Sequence, residues 1–357
     1  MNPEQPTGPQ GIRKLLVFRF SAMGDVALVL PVIRGLLDTY KTVEITLVTR
    51  KQFEPFFINI ERLKIIAPEF AGRHKGFIGI LRLWLNLKNS GKYNAVIDLH
   101  GVLRTYILRL FFTMGAVCCY SINKGRREKK AWLQNAGTAY LKHTTIRYLE
   151  VFNRAGYFFD LKKGCVFATN SIAKSEPGFL VQKLADRNSI RIGIAPFAKH
   201  ELKVYPAAKM YALLEKLSGK SFEVFLFGGG KEEKERLREM ALISDKFHVV
   251  DLSLAAEIRL MQQLNLMISM DSANMHIASL AGIPVISVWG ATHRGIGFAP
   301  LNQPEANFIE TPTVVLPCRP CSIYGKGKCL RGDFACMDLI EPDTILKRVF
   351  EIVEPVK

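Results

Sequence analysis

No apolar run in this 357-residue sequence reaches the roughly 18 residues that a membrane-spanning helix needs. The longest candidate, residues 76–87, is short and contains Arg82. No G-x-G-x-x-G follows the first strand-like segment, which argues against a dinucleotide oxidoreductase. There is no D-x-D anywhere in the chain, so a carboxylate-bound metal is not indicated. Internal repeats and low-complexity tracts are also missing. Residues 1–11 are polar and proline-rich, without the charged head and apolar stretch of a signal peptide, so a cytoplasmic location is expected. The seven cysteines fit that compartment as free thiols.

Acidic residues are scarce in one place. Between residues 72 and 149 there are fourteen Lys/Arg against two acids, Asp98 and Glu128, which puts +12 of the net +17 in a single stretch. A field of that sign recruits polyanions: nucleic acid, an anionic membrane surface or a phosphorylated substrate. The competing reading is a basic surface that only keeps the protein soluble. With 48% hydrophobic and 23% charged residues the composition is that of a folded globular protein, and the length suits two domains.

Short apolar strands alternate with helical patterns. Residues 14–20 (KLLVFRF) read as a buried strand, 25–40 as a helix, 43–48 and 95–99 (AVIDL) as strands, and 104–112 as a helix. This is the pattern of a parallel sheet covered on both faces. It loosens over 162–178, a candidate interdomain linker, and then restarts. Strands are expected at 191–195, 223–227, 266–269 and 285–289, with helices at 207–217, 232–240 and 274–281. A last helix, 343–353, is expected to begin at an Asp343 cap after Pro342. The expectation is an N-terminal domain over 1–170, a second over 171–340 and a C-terminal helix over 341–357.

Three segments carry chemistry. Ser21-Ala22-Met23-Gly24-Asp25-Val26 lies between the first strand and its helix, where open α/β sheets bind ligands. Asp25 there is either a reactive carboxylate or a helix cap. Residues 196–206 (PFAKHELKVYP) place lysines and a histidine in a strand-to-helix loop suited to an anion, and Gly228-Gly229-Gly230 forms another loop that a phosphate or ribose can approach. Met270-Asp271-Ser272-Ala273-Asn274-Met275-His276, ahead of Gly282-Ile283-Pro284 and Trp289-Gly290, presents a carboxylate, a hydroxyl and helix amides at one strand end.

Taken together, S-x-M-G-D, K-x-Y-P and D-S-x-x-x-H, in that order, resemble glycosyltransferase family nine, the ADP-heptose:lipopolysaccharide heptosyltransferases. Asp98-Leu-His-Gly-Val-Leu-Arg104 and the C-terminal cysteine segment add to the resemblance, which runs from about residue 14 to about residue 342. It implies the GT-B fold, two Rossmann-like domains facing a central cleft. It also implies an inverting transfer of heptose from ADP-heptose, or a related nucleotide-sugar, to a phosphorylated lipid A–Kdo acceptor. Carried over by position, the general base is Asp25 and the lysine at the donor diphosphate is Lys203. Asp271 binds the transferred sugar, Ser272 and Ala273 lie at the phosphates, Glu232 at the ribose, and His276 completes the donor set. Ala273 stands where members usually have glycine, and Phe197-Ala198 replaces the usual small and hydroxyl residues. No cofactor is implied.

In that light the basic stretch is expected to meet the acceptor phosphates or the inner face of the cytoplasmic membrane, through Arg104, Lys124, Arg126, Arg127, Lys129 and Lys130. Phe77, Ile80, Leu81 and Trp84 share a helical spacing, and either form an interfacial face or pack in the core. Cys318-x2-Cys321-x7-Cys329-x6-Cys336 matches no standard zinc module, so free or redox-labile thiols stand beside structural metal as readings. The nearest rival function is a GT-B transferase with another nucleotide-sugar donor. A basic, non-enzymatic nucleic-acid-binding protein is more distant, because no recognition motif of that kind is present and the cations are interleaved with apolar segments.

Overall fold

The computed structural model describes residues 13–134, 140–168 and 189–354. Two compact units emerge: Met1–Gly125 with Lys142–Ala168, and Arg126–Leu141 with Thr169–Lys357. In the first unit run β1 (Arg13–Phe18), α1 (Met23–Ala27), α2 (Leu30–Thr39), β2 (Val43–Val48), β3 (Leu63–Ile66), α3 (Gly76–Ser90), β4 (Ala95–Asp98), α4 (Leu103–Met114) and β5 (Cys118–Ser121). After α5 (Arg126–Gln134), which groups with the second unit, α6 (Thr144–Arg154) completes the first. The strands pair in parallel in the order β3-β2-β1-β4-β5. β1, β2 and β4 read as near-continuous apolar runs because helices cover such a sheet on both faces. Leu16, Phe18 and Val96 pack with Ile80, Leu83, Leu108 and Phe112, which seats α3 and α4 side by side on one face.

The second unit holds β6 (Ile190–Ala195), α7 (Ala207–Ser218), β7 (Phe222–Leu226), α8 (Gly230–Ala241), β8 (Phe247–Val249), α9 (Leu254–Met261), β9 (Leu266–Met270), α10 (Ala273–Leu280), β10 (Val285–Trp289), β11 (Phe308–Glu310), α11 (Ala335–Asp338) and α12 (Pro342–Val353). Its parallel order is β11-β10-β9-β6-β7-β8. Both sheets are therefore doubly wound. The strand order reverses between β1 and β4 in one and between β6 and β9 in the other, and ligands bind beyond the carboxyl ends of strands at such reversals.

Three departures from the sequence reading have physical causes. The single helix expected over 25–40 is two helices, because Pro31 sits in the first turn of α2, lacking an N–H to continue α1 and preset for a new start. The last helix starts one residue early: Pro342 takes its first position and Glu341, not Asp343, is the flanking residue. It also packs into the second unit's core through Ile345 and Val349. Third, α5, expected within an N-terminal domain ending near 170, belongs to the second unit. Trp132 lies 5.5 Å from His293, and the Lys129 ammonium sits 4.0 Å from the Phe298 ring centroid. A buried face made of one tryptophan and one lysine leaves no apolar period to read. The expected boundary at 170–171, and the linker from 169 onward, lie outside the described residues.

Candidate active site

In the first unit the loop after β1 meets the end of β4. Asp25 stands in the first turn of α1, and its Oδ2 accepts the Ala22 N–H at 3.2 Å and the Arg19 Nη2 at 2.7 Å. Among the described residues no bond falls on Oδ1. Tyr148 donates its hydroxyl to the Asp25 carbonyl at 3.1 Å, and the Arg19 guanidinium lies 5.6 Å from the Tyr148 ring centroid. Arg19 is buried and also donates to the Leu99 carbonyl at 2.6 Å. The carboxylate is thus held from one side, through Oδ2.

The end of β4 is built around Asp98, which is fully buried. Its Oδ1 accepts the amides of His100 (2.9 Å) and Gly101 (2.8 Å), and its Oδ2 pairs with Arg109 at 3.0 Å. His100 in turn accepts the Phe20 N–H on Nδ1 at 3.2 Å. Burial, then the charges of Arg19 and Lys124, push the His100 pKa down to about 3, with Asp25 opposing and Arg50 adding to the fall. The imidazole is therefore neutral, in a region of positive potential. The unfolded chain binds the His100 proton below about pH 6.5 and the folded one does not until about 3, so stability is lost as pH falls through that window. His100→Gln, which still offers an acceptor to Phe20, should show a smaller drop in Tm between pH 7 and pH 4 than the wild type. An identical drop would remove His100 from the acid sensitivity.

In the second unit the loop after β6 meets the end of β9. The Lys203 ammonium pairs with Asp271 Oδ2 at 2.8 Å, and both side chains are largely buried. Thr292, fully buried, donates to the same oxygen at 2.8 Å. Ser272 flanks the start of α10 without capping it; its Oγ contacts Ser269 Oγ at 3.2 Å instead. The first-turn amides of α10 thus receive no bond from the Ser272 side chain, an arrangement suited to an anion. Burial and the charges of Lys203, Lys326 and Lys199 hold His200 below its ordinary pKa, a second sign of a cationic loop.

The sequence-predicted residues separate accordingly. Lys203, Asp271 and Ser272 come together, Ala273 opens α10, and His276 is buried within it. Glu232 is exposed in the first turn of α8, whereas its neighbour Glu233 turns back and accepts the Gly229 N–H at 2.7 Å. Arg104 and Lys124 belong to the first unit, and Arg126, Arg127, Lys129 and Lys130 to the second. Lys129 is a correction: it is 4% exposed with its ammonium over Phe298, so it is not a surface cation. Arg126, Arg127 and Lys130 are exposed.

Several residues escaped the sequence reading. Arg19, immediately before the S-x-M-G-D loop, reads as an ordinary strand cation. Arg319 is 1% exposed and donates to the carbonyls of Gly290 (2.6 Å), Thr292 (2.9 Å) and Thr311, and pairs with Glu310 at 2.9 Å. It fixes the turn that aims Thr292 at Asp271, yet in sequence it hides inside a C-x-x-C. Gly325 has φ +73°, and a Cβ there would lie 2.5 Å from Lys203 Cγ. Cys318, Cys321, Cys329 and Cys336 share a cavity of about 30 Å³, and all seven cysteines are free thiols.

The profile of glycosyltransferase family 9 (heptosyltransferase) matches residues 80–320. The chain is 26% identical to lipopolysaccharide heptosyltransferase 1 of Campylobacter coli over 95% of its own length and 98% of that protein's. A family 9 glycosyltransferase structure from Veillonella parvula superposes with a TM-score of 0.75 at 17% identity, covering 96% of this chain and 97% of that one. The Escherichia coli heptosyltransferase WaaC with ADP-2-deoxy-2-fluoro heptose gives 0.62 at 16% identity, covering 95% and 99%. The fold is GT-B, as the two doubly wound sheets imply. A carboxylate fixed beside the reversal of one sheet, a lysine–aspartate pair beside that of the other, and the matched profile lead to one conclusion: this chain belongs to glycosyltransferase family 9, the heptosyltransferases.

Proposed function

We propose that this enzyme transfers a heptose from ADP-heptose to a phosphorylated lipid A–Kdo acceptor of the lipopolysaccharide inner core, with inversion at the anomeric carbon. It would work at the inner face of the cytoplasmic membrane, where such an acceptor is anchored. The acceptor hydroxyl attacks the anomeric carbon, a new glycosidic C–O bond forms, and the bond from that carbon to the diphosphate oxygen breaks. Asp25 Oδ1 takes the hydroxyl proton while Arg19 holds Oδ2, which is the work of a positioned general base. ADP leaves with the bonding electron pair. Lys203 and the α10 amides neutralise the charge that develops on it, and Asp271 orients the sugar hydroxyls. Glu232 is assigned to the ribose and His276 to support of the α10 turn.

The observation that carries this reading is the Lys203–Asp271 pair held by Thr292 at the β6/β9 reversal. It supplies one cation for a diphosphate and one carboxylate for sugar hydroxyls. A panel of nucleotide-sugars tests it by thermal stabilisation: ADP-heptose should raise Tm more than UDP- or GDP-sugars, and oligonucleotides should leave it unchanged. Stabilisation by another nucleotide-sugar alone would reassign the donor.

Two substitutions probe the two substrates separately. Gly325→Ala should displace the Lys203 stem and raise the KM for the nucleotide-sugar several-fold, with the acceptor KM unchanged. Replacing Arg126, Arg127 and Lys130 together with Ser should do the opposite, raising the acceptor KM at low salt, where exposed charges weigh most. Unchanged acceptor kinetics would remove α5 from acceptor binding.

A further inference from the structure

The first unit carries an outward surface that its own core does not use. α4 buries Thr105, Leu108 and Phe112 against the sheet, yet Leu103, Tyr106, Leu110 and Met114 recur along its opposite side and remain exposed. At 100° per residue those four fall within one narrow stripe. α3 behaves in the same way: Gly79, Ile80, Leu83 and Leu87 face inward, while Phe77 and Ile78 are 62% and 70% exposed. The expected stripe of Phe77, Ile80, Leu81 and Trp84 is therefore split, with Ile80 in the core and Phe77 outside. Contacts of Phe111 with Phe77 (6.2 Å between centroids) and Trp84 (5.3 Å) join the two helices into one platform. A helix apolar on both sides is normally buried on both, and a contiguous exposed patch of this kind marks a partner.

The charges around the platform say which partner. Arg73, Lys75, Arg82, Lys88, Lys92 and Arg104 are all exposed, and the one acid between residues 72 and 114, Asp98, is fully buried against Arg109. The Lys88 ammonium lies 5.3 Å from the Trp84 ring centroid, a long cation sharing the surface with an aromatic. We infer that the outward face of α3 and α4 seats this enzyme on an anionic phospholipid surface, with Phe77, Ile78, Leu110 and Met114 entering the headgroup layer and the surrounding Lys/Arg pairing with lipid phosphates. Apolar side chains amid a clear excess of cations, with Glu69 an exposed acid just ahead of α3, match the chemistry of interfacial binding. A second copy of the chain is disfavoured as the occupant, since a two-fold pairing of this face would set cations opposite cations. The inference rests on the reading that the acceptor is a membrane-anchored glycolipid, and it names the surface that reaches it.

The test separates docking from catalysis. Full-length enzyme is sedimented with phosphatidylcholine vesicles with and without one-quarter phosphatidylglycerol, in the absence of either substrate. Turnover is measured in parallel on a deacylated, water-soluble acceptor. Wild type should partition at least tenfold more strongly onto the anionic vesicles and release as salt rises. Ile78→Ser/Leu110→Ser/Met114→Ser, all at exposed positions, should lose at least tenfold of that partition while keeping Tm and soluble-acceptor turnover. No partition by wild type, equal partition onto neutral vesicles, or an unaffected triple variant would each overturn the docking surface, whatever the turnover. A dimer that the triple variant abolishes, without vesicle binding, would overturn it in favour of self-association. Failure of turnover on the soluble acceptor with vesicle binding intact would count against the proposed reaction and leave the surface standing.

Discussion

Asp25→Asn is expected to bind nucleotide-sugar as wild type does and to lose about 100- to 10,000-fold in kcat, the usual contribution of a positioned general base. Asparagine keeps the size of the side chain, and its amide oxygen still accepts the Ala22 N–H, so the turn into α1 survives. What it loses is proton affinity, and the charge that faces Arg19. The second loss has its own cost, because Arg19 is buried and would keep hydrogen bonds to the asparagine oxygen and the Leu99 carbonyl but lose its counter-charge. A cost of about 1–3 kcal/mol follows from weakening a charge-assisted hydrogen bond to a buried cation. Stability therefore falls in either reading of Asp25, and Tm alone does not separate base from cap. Turnover does: a kcat within about tenfold of wild type, about 1.4 kcal/mol of barrier, would mean that Asp25 serves the fold and not the reaction. Arg19→Leu provides the complement. It removes the guanidinium from Oδ2 without removing the base, so kcat should fall less than in Asp25→Asn while the acceptor KM rises from the misplaced carboxylate.

Lys203→Gln is expected to reduce kcat by about 100- to 1,000-fold, comparable to deleting a donor that meets developing negative charge. On the proposed reading the same ammonium also meets the ground-state diphosphate, so the nucleotide-sugar KM should rise as well. Asp271 loses its ion pair in this variant but keeps the Thr292 hydroxyl, which limits collapse of the site. Isothermal titration with ADP gives an independent readout: affinity for ADP should drop while affinity for a soluble acceptor holds. Equal losses for both would show that the substitution had damaged the fold, and unchanged ADP affinity would take Lys203 off the diphosphate.

The strands flanking both sites were legible because a buried parallel strand is a short apolar run, and residues 43–48 and 285–289 were read to the residue. Local motifs carried Asp25, Lys203, Asp271 and Ser272, since each lies between a strand and the first turn of the helix that follows it. What stayed hidden acts across the chain. Arg19 reaches Asp25 from six residues away but is anchored by the carbonyl of Leu99, eighty residues on. Arg319 fixes the turn at Gly290–Thr292 from nearly thirty residues away. Gly325 matters only because Lys203 lies beneath it. The placement of α5 was missed for a different reason: its buried contacts are a cation over rings and a single tryptophan, which no hydrophobic period reports. Periodicity reads what is apolar and local, whereas charge partners and close approaches need the fold.

One measurement addresses the proposed reaction most directly. Purified enzyme is incubated with ADP-heptose and a Kdo-bearing lipid A acceptor, the glycolipid is weighed by mass spectrometry, and the configuration of the new linkage is read by NMR. The expected product gains one heptosyl unit, matched mole for mole by released ADP, with the anomeric centre inverted relative to the donor. A product with retained configuration, or transfer of a different sugar while ADP-heptose is left intact, would contradict it.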